Sequence, residues 1–344
     1  MKSLSHSLSK YRMDKHSAHL QLTLVIVAFL LLAMPVRADW YADARPLMGT
    51  EVSVRLWHED ADTGRRLVED IFAEANRIDL LMSTYKEDSR ISEINRHAAS
   101  APVVAGEELL QLIQRALDVS VLTAGAFDIT YDSVGQHYDF RTHQRPDAAT
   151  VEAARALIDY RLVRLDVAAG TVAFAAQGVR INLGGIAKGY VVERGVTLLR
   201  AAGVQHAVVT AGGDSRLLGD RRGQPWMVGI RDPRKDGNVA MTVPLQDEAV
   251  STSGDYERYF DEDGVRYHHI ISPSTGNPAS GVHSATVIGP DGVMTDALST
   301  SVFVMGVDRG LRLIATLSGY EAIVIDDQGQ IYFSDGLTPP SGAL

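Results

Sequence analysis

Hydrophobic and polar positions in the first half of the chain follow the periods of a strand, two helices and a hairpin. Residues 52–56 alternate between apolar and polar side chains, which predicts a half-buried strand. Apolar residues recur at helical spacing in 67–81 and again in 107–122, and these two segments are predicted as amphipathic helices. Two short apolar runs within 161–175, joined by a turn that contains glycine, predict a hairpin.

The second half of the chain mixes strands and helices around two glycine pairs. A short predicted strand, 179–183, leads into Gly184-Gly185, after which helical spacing continues to about residue 199. Further strands are predicted at 207–210, 226–231, 322–325 and 331–333, and further helices at 296–305 and 310–318. Because the elements follow no regular strand–helix–strand rhythm, the predicted fold class is α+β, in one continuous domain over residues 39–344.

The first 38 residues have the layout of an export signal. Residues 20–33 are apolar apart from two polar positions, four Lys/Arg residues precede them, and Val36-Arg37-Ala38 follows. This order predicts a cleavable secretory signal over residues 1–38. The alternative is an uncleaved N-terminal anchor, although the run is shorter than the ~20 residues that span a bilayer comfortably. In both cases we expect residues 39–344 to be exported to the periplasm, either free or attached to the outer face of the inner membrane.

Composition and charge exclude several classes of function. The chain has no cysteine, which rules out disulfides, thiolate metal sites and a cysteine nucleophile. Removal of residues 1–38 takes away five basic residues and one acidic residue, so the formal net charge changes from −10 to −14. A body this acidic argues against nucleic acid as a partner.

The segment 182–190 places a glycine pair between a predicted strand and a predicted helix. Gly184 and Gly185 would let the backbone approach a ligand closely, and the helix N-terminus would offer N–H donors to a phosphate. Lys188 adds a cation in the first helical turn. The spacing is neither the Rossmann fingerprint nor a P-loop, so this segment alone fits a phosphate site and a structural turn equally well.

Two further segments have the residue types of a metal or ligand site. Asp296 and Thr300 are four residues apart at a predicted helix start and would share one face, where a carboxylate and a hydroxyl can join phosphate oxygens around Mg²⁺. The alternative is a first-turn charge and an ordinary helix residue. The pair Gly212-Gly213 fits either a backbone close to a ligand or a tight turn in which Asp214 caps the next segment.

Two adjacent histidines, His268 and His269, precede an apolar pair and a turn. Neighbouring positions on a strand point to opposite faces, so at most one of them is expected to enter a given site. A histidine with a pKa near neutrality can take a proton from an attacking hydroxyl, but such pairs are otherwise solvated or structural. The hydroxyl-rich segment 251–259 lacks a nucleophile elbow, which leaves a serine hydrolase poorly supported.

Taken together and in this order, these segments resemble the ApbE-type flavin transferase family over nearly the whole of residues 39–344. Each match is weak alone, but eight collinear matches are strong. They are Met48-Gly49-Thr50, Met82-Ser83-Thr84-Tyr85, Gly125-Ala126-Phe127-Asp128, residues 182–190, Ala211-Gly212-Gly213-Asp214, Thr252-Ser253-Gly254-Asp255, His269-Ile270-Ile271 with Pro273, and Asp296-Ala297-Leu298-Ser299-Thr300.

The resemblance implies an enzyme that binds FAD with Mg²⁺ and attaches FMN, through its phosphate, to a threonine or serine of another protein while AMP leaves. The residues implied to line the FAD site are Met48, Tyr85, Ala126, Phe127, Asp128, Asn182, Lys188 and Ile271. The Gly185 carbonyl, Asp296 and Thr300 would hold Mg²⁺, and His269 would act as the base. A metal and helix-end donors can neutralise a pyrophosphate during such a transfer without a covalent enzyme intermediate.

Two positions depart from the family pattern. Asn182 stands where many relatives have an acid; it can still hydrogen-bond an adenosine or flavin group, but it carries no charge. Ser272 stands where an acid usually follows the isoleucine pair, so no role of that acid is carried over. The acceptor motif that the family implies, roughly Gly-Ala-Ser/Thr-x-Thr after Asp or Ser, does not occur here, because Phe127 follows Gly125-Ala126. The expected partner is therefore another polypeptide, a redox protein or membrane redox subunit that carries this motif.

Two other functions fit the same residues. Water in place of the acceptor hydroxyl would make the protein an FAD pyrophosphatase that gives FMN and AMP. A non-catalytic exported flavin-binding protein would instead bind FAD tightly and never produce AMP. Since the nucleophile is not part of the chain, the sequence does not separate transfer from hydrolysis.

Overall fold

The computed structural model describes residues 38–235 and 237–337, which contain both strands and helices. The predicted signal over residues 1–38 lies outside the described residues except for Ala38. The described strands, in chain order, are β1 Asp39–Leu47, β2 Thr50–His58, β3 Val103–Val104, β4 Val163–Asp166, β5 Thr171–Phe174, β6 Ala207–Ala211, β7 Asp214–Leu218, β8 Trp226–Arg231, β9 Val239–Leu245, β10 Ala249–Gly254, β11 Tyr259–Glu262, β12 Val265–His268, β13 Val282–Gly289, β14 Glu321–Asp326 and β15 Ile331–Phe333.

The main sheet has eight strands in the order β1-β2-β6-β7-β10-β13-β14-β15, and every neighbouring pair is antiparallel. The remaining strands form the hairpins β8–β9 and β11–β12 and a three-stranded sheet in the order β3-β5-β4. Strands from the start, the middle and the end of the described chain therefore share one sheet, which brings distant segments side by side.

Eight α-helices lie in the described chain. They are α1 Ala61–Met82, α2 Arg90–His97, α3 Glu107–Leu122, α4 Asp132–Gly135, α5 Ala148–Arg155, α6 Ala187–Ala201, α7 Gly292–Met305 and α8 Val307–Ile314. Helix α1 packs on β1 and β2, α6 on β6 and β7, and α7 on β10 and β13, with α6 between the other two. Within the described ranges, no helix is both long and apolar enough to cross a bilayer.

The main core lies between these helices and the sheet. Ile71 and Ile78 of α1, Val192 of α6 and Val209 of β6 are at most 1% exposed and belong to one cluster. Burial of each such side chain stabilises the folded protein by about 1.5–3 kcal/mol. The apolar face of each helix is therefore the face that packs on the sheet. Helix α7 contacts the sheet, α6 and α8. Apolar residues therefore occur on all sides of this helix. Asp291 caps its start by accepting from Val293 N at 2.9 Å.

The turn between β1 and β2 consists of only Met48 and Gly49, with φ values of 55° and 69°. Two left-handed residues are typical of the type I′ hairpin turn, whose twist matches that of the flanking strands. Glycine adopts this conformation freely, whereas a methionine there costs roughly 1 kcal/mol. The strained position lies in the wall of the cavity described below.

The predicted α+β class is confirmed, and the strongly periodic segments fold as expected. The predicted strand at 179–183 is wrong, because this segment is extended but pairs with no neighbouring strand. The Asn95 side chain instead accepts from Ile181 N at 2.8 Å and donates to Ile181 O at 2.9 Å. The first strand of the predicted hairpin is also shorter than expected, since residues 160–162 form a 3₁₀ turn before β4.

Candidate active site

A cavity of about 300 Å³ opens beside the β1–β2 turn, the end of α1 and the start of α6. Its wall contains every residue of the predicted FAD set, namely Met48, Tyr85, Ala126, Phe127, Asp128, Asn182, Lys188 and Ile271. His269, Gly185 and Thr300 also lie in the wall. Asp296 lies directly behind it, in contact with Lys188. The fold thus brings all the predicted site residues together.

Lys188 joins two buried carboxylates at the inner end of this cavity. Its Nζ lies 2.7 Å from Asp214 Oδ2 and 3.2 Å from Asp296 Oδ1, and both aspartates are only 1% exposed. Burial opposes the charge of Lys188, but the two carboxylates outweigh it and raise its pKa. Burial, and then the nearby Asp214 carboxylate, raise the pKa of Asp296. The ammonium group therefore holds together two negative charges that would otherwise repel each other in a dry environment.

Glycine at position 189 lets α6 and α7 approach closely enough for Asp296 to reach the start of α6. A Cβ on Gly189 would lie 2.0 Å from the Gly292 carbonyl oxygen, so only glycine fits this crossing. At this distance between the helices, Asp296 Oδ2 accepts from Gly189 N at 2.9 Å. A carboxylate that caps the positive end of a helix is stabilised by its free amides. The start of α6 is the helix end that we predicted from the sequence as a phosphate site. One of its N–H donors is thus already bonded to Asp296.

The three predicted Mg²⁺ ligands supply oxygen donors of the kind that Mg²⁺ prefers. Thr300 lies one turn after Asp296 on α7, and a Cβ on Gly185 would be 3.3 Å from Thr300 Oγ1, so all three residues meet at one place. Ser253 Oγ lies 3.2 Å from Thr300 Oγ1 and adds another hydroxyl. One carboxylate, two hydroxyls and a backbone carbonyl fit a hard ion that also retains water or phosphate ligands. Among the described residues, no group of three or more His, Asp or Glu side chains is placed to hold a metal ion.

The Asn182 side chain links three segments of the cavity wall. Its Nδ2 donates to Thr84 Oγ1 at 3.2 Å and to Asp132 Oδ1 at 3.1 Å, while its Oδ1 accepts from Gly184 N at 2.8 Å. An amide suits this position because it donates to one group and accepts from another. An acid at position 182 would place a second carboxylate against Asp132, whose pKa burial already raises. The departure from the family pattern therefore agrees with the surroundings of this residue.

Asp128 is in the cavity wall, but its carboxylate is already engaged by the protein. Oδ1 accepts from Thr130 N at 2.8 Å and from Thr130 Oγ1 at 2.6 Å, and Oδ2 accepts from Tyr160 N at 2.8 Å. Burial raises the pKa of Asp128 in spite of these bonds. The side chain fixes the segment 126–131 against the turn at Tyr160, which positions Phe127 next to Gly185.

The wall also provides apolar surfaces for a planar ring system. Phe127 is 3% exposed and Ile271 is 5% exposed, whereas Tyr85 is 74% exposed at the rim. Met48 completes this set from the strained β1–β2 turn. A largely apolar cavity with a few polar groups at one end matches a ligand that has a flat ring and an anionic part.

The two histidines have different surroundings, as expected for neighbours at the end of a strand. His268 is 4% exposed, donates from Nε2 to the Ala279 carbonyl oxygen at 2.8 Å, and packs edge-on against Phe303. It is therefore a structural residue. His269 lies in the cavity wall, and its Nδ1 is buried without a hydrogen-bond partner in the described chain. Burial, together with the positive charge of Arg258, lowers the pKa of His269 to about 3.

Two residues at the site were not predicted as functional. Asp214 was expected at most to cap a turn, but it pairs with Lys188 and has no other side-chain hydrogen-bond partner among the described residues. Arg258 lies in the cavity wall and donates to the Gly49 carbonyl oxygen at 3.2 Å. Asp214 follows a glycine pair and Arg258 lies in the hydroxyl-rich segment 251–259, so each had a local signal, but only the fold shows what each side chain contacts.

Comparison with known proteins defines the class to which this fold and site belong. The model of the ApbE family matches residues 48–324, and the chain belongs to that family. This confirms the resemblance that the motifs indicated. The match begins at the β1–β2 turn and ends within β14, so it includes every segment that lines the cavity.

Particular relatives are similar over most of their length. The FAD:protein FMN transferase of Treponema pallidum is 34% identical over 320 residues, which cover 88% of each chain. The FAD:protein FMN transferase of Vibrio cholerae is 32% identical over 308 residues, covering 86% of this chain and 90% of the relative. Among solved structures, the ApbE protein of Thermotoga maritima matches with a TM-score of 0.80 and 36% identity, covering 87% of this chain and 98% of the other. The flavin transferase ApbE of Vibrio cholerae matches with a TM-score of 0.76 and 30% identity over the same shares.

Proposed function

We propose that this protein is a Mg²⁺-dependent FAD:protein FMN transferase, which forms a phosphoester between FMN and a threonine or serine of a partner protein and releases AMP. The observation that carries this proposal is the junction of a ring-sized apolar cavity with a cluster of hard oxygen donors and His269. The relatives named FAD:protein FMN transferase, which match along most of the chain, support the same activity.

The oxygen donors at the inner end of the cavity would hold the metal ion. Asp296, Thr300 and the Gly185 carbonyl are its ligands in this proposal, and Mg²⁺ bound there would neutralise the pyrophosphate of FAD. Lys188 lies at the same place and contacts Asp296. In this proposal Lys188 moves away from Asp296 when the metal ion binds there, and Asp214 is the carboxylate that retains it.

His269 is assigned to accept the proton of the attacking hydroxyl. The hydroxyl oxygen bonds to the phosphorus on the FMN side, the bridging P–O bond breaks with its electron pair leaving on AMP, and the proton passes to the imidazole. With its pKa lowered to about 3, His269 is neutral at physiological pH and able to accept a proton. The anionic phosphates of bound FAD oppose the effect of Arg258 and bring the pKa of His269 closer to the range of an effective base.

The acceptor is another polypeptide, a redox protein or membrane redox subunit with the Gly-Ala-Ser/Thr-x-Thr type of motif. We also propose that the protein is exported and acts in the periplasm, on the strength of the signal layout in residues 1–38. If that signal is cleaved, the protein recovered from the periplasm should begin near Asp39. An intact N-terminus in the membrane fraction would indicate the retained anchor instead.

The proposed activity is tested by incubating the protein with FAD, Mg²⁺ and an acceptor domain while following AMP and acceptor mass together. We expect equal amounts of AMP and FMN-labelled acceptor, and loss of both with EDTA. Asp296→Asn should remove the activity, and His269→Gln should remove it while FAD binding remains. AMP without labelled acceptor would identify an FAD pyrophosphatase, and bound FAD with neither product would identify a flavin-binding protein.

A further inference from the structure

Arg258 lies in the cavity wall between the β1–β2 turn and His269. Its Nη2 donates to the Gly49 carbonyl oxygen at 3.2 Å, and its own carbonyl accepts from His269 N at 3.1 Å. A guanidinium group has five N–H donors in a planar fork, so a single bond to Gly49 leaves most of them free. The described residues provide no other hydrogen-bond partner for this side chain.

Arg258 also differs in charge balance from the other cation of the cavity wall. Lys188 is neutralised by Asp214 and Asp296. No carboxylate lies within 4.0 Å of the Arg258 guanidinium in the described chain, and the adjacent Glu257 pairs with Arg231 at 3.2 Å. The cavity therefore has an uncompensated positive charge on the side that carries His269. Such a charge is stabilised by an anion that enters the cavity.

A phosphate is the anion that this arrangement suits best. The planar fork of arginine matches two phosphate oxygens, and arginine holds such groups more directionally than lysine does. The apolar residues of the wall suit the ring part of a dinucleotide, so a ligand with both parts would place its phosphates between Arg258 and the oxygen donors around Thr300.

We propose that Arg258 binds a phosphate oxygen of FAD and holds the reacting phosphate against His269. This assignment rests on the proposed function, because it takes FAD as the occupant of the cavity. Arg258 then has two roles: it anchors the β1–β2 turn through Gly49, and it supplies the cation opposite the metal ligands. It neither donates nor accepts a proton in the transfer.

The experiment compares FAD with riboflavin, which has the same ring system but no phosphate. Binding of each flavin is measured by fluorescence quenching, with Mg²⁺ present and no acceptor, for wild type, Arg258→Gln and Arg258→Lys. Arg266→Gln is the matched control, because Arg266 pairs with Asp261 at 3.0 Å on the neighbouring hairpin and does not line the cavity. Thermal unfolding of each variant establishes that it is folded.

We expect Arg258→Gln to raise the Kd for FAD by about tenfold or more, as for loss of a charged hydrogen bond. The Kd for riboflavin should change by less than about twofold, and Arg266→Gln should change neither. Arg258→Lys keeps the positive charge without the planar fork. Its Kd for FAD should lie between those of wild type and Arg258→Gln, and its Kd for riboflavin should not change. This variant tests the assignment even if the glutamine variant fails to fold.

Equal loss of FAD and riboflavin binding would overturn the assignment, since it would show that Arg258 acts only through the β1–β2 turn. Unchanged binding of both flavins by the variants would overturn it as well. If wild-type protein binds FAD no more tightly than riboflavin, both the proposed function and this inference are contradicted. If FAD binds tightly and the variants at position 258 do not change its Kd, the inference alone is contradicted.

Discussion

At the scale of single residues, the main feature of the site is the contact among three buried charged side chains. Lys188 contacts Asp214 and Asp296 at once, so its ammonium lies against the carboxylate that the proposed function assigns to the metal ion. Asp214 offers the lysine a second partner that is not among the proposed metal ligands. In the proposed function, Lys188 would keep Asp214 as its partner when a divalent ion replaces the ammonium at Asp296.

We predict that Asp214→Asn weakens Mg²⁺ binding by at least about tenfold. The substitution removes a negative charge from the site and leaves Lys188 with Asp296 as its remaining carboxylate, and both effects oppose the metal. Calorimetric titration of the protein with Mg²⁺ measures the change. Asp261→Asn, on an exposed hairpin, is the control and should bind Mg²⁺ as wild type does. Unchanged or tighter binding in Asp214→Asn would show that Lys188 does not compete with the metal.

The lowered pKa of His269 leads to a second prediction at the residue scale, which concerns the ligand-free protein. Its pKa lies at about 3 in the folded state against an ordinary value of 6.5, so below pH 6.5 the unfolded chain takes up a proton that the folded protein does not. This contribution to stability is complete above pH 6.5 and is lost as the pH falls toward 3. Between pH 7.5 and 5, wild type should lose about 1–2 kcal/mol of unfolding free energy relative to His269→Gln. Denaturant titrations at the two pH values measure this difference, and parallel losses in both proteins would contradict it.

At the scale of elements, the periodic segments were predictable and the long-range contacts were not. Helices α1 and α3 follow from their apolar spacing, because the apolar face of each helix is the face that is buried. Residues 179–183 have the composition of a strand, but Ile181 bonds to the Asn95 side chain and Asn182 N donates to the Ile129 carbonyl oxygen, and local sequence reveals neither partner. The family motifs located the predicted site residues, whereas the contacts of Asp214 and Arg258 required the assembled fold.

The crossing of α6 and α7 gives a prediction at this scale. Gly189→Ala would place a Cβ 2.0 Å from the Gly292 carbonyl oxygen, which forces the helices apart and breaks the bond from Gly189 N to Asp296. We expect a loss of about 2–4 kcal/mol in unfolding free energy, measured by urea titration, together with weaker Mg²⁺ binding. Gly195→Ala in the same helix is the control, because its Cβ would meet side chains and no backbone atom, with Val209 at 3.1 Å and Ile71 at 3.5 Å. Similar stability of the two variants would contradict the account of this crossing.

At the scale of the whole molecule, the cavity exists because the sheet joins the start of the described chain to its end. The β1–β2 turn supplies Met48, the middle of the chain supplies Lys188, and the last third supplies His269 and Thr300. The acceptor motif that the family resemblance implies does not occur in the sequence. In the proposed function, this cavity would hold the dinucleotide, and another protein would bring the nucleophile.

The most direct test of this account is the intact mass of an acceptor domain after incubation with the protein, FAD and Mg²⁺. Two acceptors are compared, one with threonine at the last position of the Gly-Ala-Ser/Thr-x-Thr motif and one with valine there. The account predicts a mass gain equal to one FMN on the threonine acceptor, none on the valine acceptor, and none with His269→Gln. AMP release at the same rate with both acceptors, without a mass gain on either, would contradict it.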